Sequence, residues 1–110
     1  MKTLIFSKNV HHQGRNLTVR RGIKWALETE AAIPDATTRS IGVSGIMRRV
    51  PVEVQLITRV VRFLDLKDDD LRHEHDENCR TVGGLLAELQ RVYPGFDPRE
   101  LVTLVEYTMP

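Results

Sequence analysis

Hydrophobic and polar positions alternate most regularly between Pro51 and Phe63. Val52, Val54, Leu56 and Thr58 fall on one side and Glu53, Gln55, Ile57 and Arg59 on the other, the period-two signature of a half-buried strand. Three further runs read as strands: Lys2–Lys8, Leu17–Arg20 and Leu101–Thr108. Arg39–Arg48 has a β-like pattern broken by Gly42 and Gly45, and glycines inside a strand mark bends or bulges. Residues 26–38 combine helix-favouring Ala, Leu and Glu with a stop at Pro34-Asp35, and predict a short helix or ordered loop.

The period changes after Thr81. Val82, Leu85, Leu86, Leu89 and Val92 recur at helical spacing, Thr81 is placed to cap the helix, and Pro94-Gly95 ends it. Gly83 and Gly84 each cost such a helix about 1 kcal/mol against alanine, and they permit a close approach. The expected order is β, β, short helix, β, β, long helix, β, in one domain over residues 1–110. This is an α+β class, a small, mostly antiparallel, partly closed β-barrel with one major and one short helix.

Charge adds an asymmetry that the net value of +1 conceals. Residues 1–62 carry 11 Lys/Arg against 4 Asp/Glu, and residues 63–110 carry 5 against 11. Either the halves attract each other or a basic face meets a polyanion. No apolar run approaches the 18 residues of a membrane span, and the N-terminal stretch reads as a strand and not as a signal peptide. The single Cys79 fits a reducing, cytoplasmic setting.

Candidate chemistry concentrates in two places. The stretch 14-GRNLTVRRGIKW-25 gathers Arg15, Thr18, Arg20, Arg21, Lys24 and Trp25. If the strand continues, Thr18, Arg20 and Lys24 share a face. A threonine hydroxyl becomes a nucleophile only when a base takes its proton. The stretch 73-HEHDENC-79 is rich in ligand-type residues, but His73 and His75 point about 200° apart on a helix. No familiar zinc spacing is present, so no metal and no cofactor are expected. Walker and dinucleotide loops are missing, and Ser44 lacks a nucleophile-elbow context.

Gly14-Arg15, Thr18-Val19-Arg20, Glu77-Asn78 before the long helix and Tyr93-Pro94-Gly95 after it occur in an order that resembles the ASCH domain family, small PUA-like β-barrels. The nearest subgroup is the small bacterial N(4)-acetylcytidine amidohydrolases, and the resemblance spans roughly residues 3–109. It implies a threonine nucleophile at Thr18 and a catalytic glutamate at Glu77. The lysine base of the family falls on Arg15, or on Asn16 if a deletion is allowed; arginine does not give up its proton near neutral pH, and asparagine is not a base. Lys24 is the candidate replacement. Arg15, Arg20 and Arg21 would then hold phosphate, and Trp25 or Tyr93 would stack on a base.

Three functions are compatible with this reading. The first is a module binding RNA or a cytidine-type nucleoside in a basic cleft, with hydrolysis of the acyl-amide of N(4)-acetylcytidine as its enzymatic form. The second is an RNA-binding or RNA-cleaving ASCH protein without that activity. The third is a regulatory protein acting through protein contacts.

Overall fold

The computed structural model describes residues 1–41 and 47–110, with side chains described for 1–34 and 51–110. Strands β1 (Gly14–Arg21), β2 (Glu30–Ile41), β3 (Met47–Arg62) and β4 (Leu101–Met109) form one antiparallel sheet in the order β1-β4-β3-β2. One α-helix, α1 (Val82–Val92), and three 3-10 turns lie between β3 and β4. The class is therefore α+β, with an open sheet. Its edges are covered instead of joined: Thr3 bridges to Ala32 on β2, and Glu74 bridges to Leu17 on β1. Short parallel pairings of this kind shield otherwise unpaired edge groups.

The long strand β3 changes partner midway. Met47–Gln55 pairs with β2, and Leu56–Arg62 pairs with β4. Pro34 stands opposite Pro51, and the register shifts between Pro34 and Arg39. Two prolines facing each other remove ladder donors at that point, and sheets tolerate this at irregularities. The glycine-marked bend expected around Gly42–Gly45 lies outside the described residues.

Two segments differ from the sequence-based expectation. The stretch from Glu30 is strand, not helix, because Ala31 and Ile33 alternate inward and pair with β3. Cross-strand packing overrides local helix preference here. Lys2–Lys8 is not a strand. After Thr3 and Leu4 the chain leaves the sheet edge, and Ile5–His12 runs as an irregular strap.

Alternation along β1 and β4 divides the core. Leu17, Val19, Val102 and Leu104 pack under α1 with Phe63, Leu66, Leu71, Leu85, Leu89 and Phe96. On the other side, Val105, Tyr107 and Met109 pack with Leu4, Trp25, Ile33, Val54 and Leu56. Asn16, Thr18 and Arg20 alternate with Leu17 and Val19, so their side chains leave the helix side of the sheet.

The start of α1 behaves as its sequence predicts. The Thr81 hydroxyl accepts from the Gly84 N–H, and Asp68 accepts from the Val82 N–H. Thr81→Ala is expected to lower stability by about 1 kcal/mol in urea unfolding, the usual cost of a lost cap. The charge asymmetry is met inside the fold by ion pairs between the halves: Lys8–Asp76, Arg15–Glu106, Arg21–Glu100 and Arg59–Asp70.

Candidate functional site

A cavity of about 150 Å³ lies along β1 past its pairing with Glu74. Three elements enclose it. Strand β1 supplies Thr18, Val19 and Arg20; the strap supplies Ile5, Phe6, Ser7 and Lys8; and the 74–79 segment with α1 closes the remainder. The edge pairing sets the geometry: the Leu17 N–H donates to the His73 carbonyl, and the His75 N–H donates to the Leu17 carbonyl. Glu74, held between these two bonds, is carried into the protein with only 2% of its surface exposed.

The strap is secured over the cavity by side chains. The Arg20 Nη1 donates to the Ile5 carbonyl at 2.7 Å, and its guanidinium sits 4.7 Å from the Phe6 ring centroid. Lys8 Nζ is 3.1 Å from Asp76 Oδ1, and Ser7 Oγ donates to Glu88 at 3.3 Å. His75 Nδ1 lies 2.9 Å from the Val10 carbonyl, and the Tyr107 hydroxyl is 2.6 Å from His11 Nδ1.

Inside the cavity, the Arg20 Nε donates to the Thr18 hydroxyl at 3.2 Å. Glu74 Oε1 lies 3.1 Å from His75 Nε2, while Glu74 Oε2 is buried with no hydrogen-bond partner. Burial pushes the Glu74 carboxyl up to about 8 and the His75 imidazole down to about 4. Burial also works to raise Asp76, but the Asn78 N–H and the Lys8 ammonium hold it below the usual carboxylate range. Burial raises Cys79 to about 12, helped by Glu74 and Asp76, so this thiol is a packing group and not a nucleophile. Exposed Ile5 and Val92, with Tyr93 at 37% exposure, give the mouth an apolar rim.

The structure brings together Thr18, Arg20 and Tyr93 of the residues singled out in the sequence. The others lie elsewhere. Gly22 adopts φ +74°, which glycine alone reaches without strain, and it ends β1. Lys24 consequently sits exposed in the following turn, out of step with Thr18 and Arg20. Arg15 and Arg21 are exposed on the opposite alternation, ion-paired with Glu106 and Glu100, and Arg21 also stacks 5.3 Å from the Tyr93 centroid. Trp25 is a core residue. Glu77 is exposed on a 3-10 turn outside the cavity, and the acid in the cavity is Glu74.

Sequence reasoning thus missed Glu74, His75, Lys8 and Phe6. The stretch 73–79 holds three acids, and nothing in their spacing says which one is buried. The strap's role depends on tertiary contacts alone. The cavity is also less basic than expected, because Asp76 and Glu88 line it beside Lys8 and Arg20. Among the described residues no group of three or more His, Cys, Asp or Glu is placed to hold a metal ion, and no helix is long and apolar enough to cross a membrane. Comparison with protein-family models, curated proteins and solved structures finds no match for this chain.

Proposed function

We propose that the chain binds a cytidine-type nucleoside, free or within RNA, in the Thr18–Glu74 cavity, in keeping with the ASCH and PUA-like resemblance of its sequence. The observation that carries this reading is the buried, unpartnered Glu74 Oε2 beside Thr18 and Arg20. A lone buried acceptor costs free energy until a donor reaches it, and the exocyclic amine of an aminopyrimidine is such a donor. Arg20 offers N–H groups to the ring carbonyl. A space of about 150 Å³ is the size that takes one six-membered ring, and the apolar rim suits its faces.

A second, enzymatic reading is favoured by one further observation: Lys8, Thr18 and Glu74 all line the cavity. They are the amine, hydroxyl and acid that an N(4)-acyl amidohydrolase requires, with Lys8 and Glu74 in the roles the sequence assigned to Lys24 and Glu77. The Thr18 oxygen attacks the acyl carbon while its proton passes to Lys8, which must first give up the proton it holds as an ammonium paired with Asp76. The Arg20 N–H already on the Thr18 oxygen eases the loss of its proton. Lys8 then passes that proton to the departing exocyclic amine, whose own N–H is accepted by Glu74 Oε2. Water then cleaves the threonine ester and releases the carboxylic acid.

Titration with cytidine, followed by backbone NMR shifts, tests the binding reading. Wild-type protein is expected to show shifts clustered on Thr18, Arg20 and residues 74–76, and Thr18→Ala to bind about tenfold more weakly, one hydrogen bond's worth. No shifts at millimolar cytidine would overturn it. Acetate release from N(4)-acetylcytidine, lost in Thr18→Ala, separates the enzyme from the binding module.

A further inference from the structure

The hydrogen bonds around Glu74 define where its proton resides. A carbonyl oxygen only accepts, so the 2.9 Å contact between His75 Nδ1 and the Val10 carbonyl requires a proton on Nδ1. A neutral imidazole then has a bare Nε2, which faces Glu74 Oε1 at 3.1 Å. Two bare acceptors at that distance repel, so a proton lies between them and is carried by Oε1. The alternative is a doubly protonated His75 against an ionised Glu74. It would place both charges where the side chains are only 8% and 3% exposed and leave one carboxylate oxygen bare. Burying an ion pair with an unsatisfied oxygen is the more costly arrangement.

We infer that His75 is a positioning residue: it holds the Glu74 proton on Oε1 and thereby leaves Oε2 as a bare carbonyl-type acceptor for an N–H of the ligand. The inference rests on the cavity being the ligand site. It also ties the site to the strap, because the Val10 carbonyl selects the His75 tautomer. The groups facing this pair divide in their effect. Burial acts most on Glu74 and favours the neutral acid; the Asp76 N–H, 3.5 Å from Oε1, together with Arg20 from β1 and Arg80 favours the ionised acid, and the Asp76 carboxylate disfavours it. His11 from the strap and Arg20 disfavour a charged imidazole, and Asp76 favours one. Lys8 of the strap and Glu88 of α1 line the same cavity, and Cys79 and Tyr107 are themselves raised by Glu74.

The test uses the ligand-free full chain, so its outcome is independent of whether cytidine binds. Side-chain ¹⁵N NMR at pH 7 is expected to show the Nδ1–H tautomer of His75, and carboxyl ¹³C NMR to show Glu74 titrating near pH 8. In His75→Gln the side-chain amide offers an N–H to Oε1 and needs no proton from the acid. The Glu74 midpoint is expected to fall by at least one pH unit, a tenfold loss of proton affinity. An Nε2–H or doubly protonated His75, a Glu74 midpoint in the ordinary carboxylate range, or an unmoved midpoint in a folded His75→Gln protein would each overturn the inference. The first two readouts need only the wild-type chain.

Discussion

Gly84→Ala destabilises the protein by about 3 kcal/mol, the upper end of overpacking costs, while Gly83→Ala leaves it unchanged or more stable by up to about 1 kcal/mol. A β-carbon at Gly84 would stand 2.0 Å from the Asn78 carbonyl oxygen, which is backbone and cannot swing aside. The same atom at Gly83 meets nothing within 4 Å. Relief at Gly84 requires moving α1 away from the Glu77–Cys79 turn. That turn follows Asp76 and carries Cys79, both of which line the cavity. The substitution should therefore disturb the site as well as the fold, which a loss of cytidine-induced NMR shifts would register. Urea unfolding of the two alanine variants beside wild type checks the opposite signs. Equal effects at both positions would show that helix propensity alone governs these glycines.

This pair of glycines also shows what the sequence could and could not convey. Two adjacent glycines after a capping threonine announce a close approach, but only the position of the Asn78 carbonyl tells which glycine makes it. The α1 face, the β3 alternation and the last strand were legible because each repeats one period over many residues. The N-terminal stretch was misread because Leu4-Ile5-Phe6 has strand propensity but no partner strand past Thr3. Residues 30–34 were misread in the other direction, because pairing with β3 outweighs what Ala and Glu prefer alone. At the site, Thr18 and Arg20 were legible from strand alternation. Lys24 was not, since one left-handed glycine cancelled the expected continuation. Glu74 was hidden because its burial follows from a backbone bridge to Leu17 between residues 57 apart, which no local pattern encodes.

Stability between pH 6.5 and 8 falls by about 1 kcal/mol in the wild type and stays nearly level in Glu74→Gln. The sign follows from the protons bound on each side of the equilibrium. The folded Glu74 acid titrates near 8 against 4.5 ordinarily, so between these values the folded state holds a proton that the unfolded chain has lost. This term lowers stability as pH rises. His75 works oppositely: it titrates near 4 when folded against 6.5 ordinarily, so between those values the unfolded chain holds the extra proton and stability rises with pH. Where the windows overlap, from 4.5 to 6.5, the two slopes cancel, because unfolding there only moves a proton from the acid to the imidazole. Above 6.5 the Glu74 term acts alone until the folded acid ionises near 8. Glutamine removes that term while keeping a neutral side chain of nearly the same shape. Urea midpoints measured at half-unit steps from pH 5 to 8.5 on both proteins check the prediction. A wild-type profile that stays level from pH 6.5 through pH 8 would mean that the folded pair holds no proton there, with Glu74 already ionised beside a neutral His75.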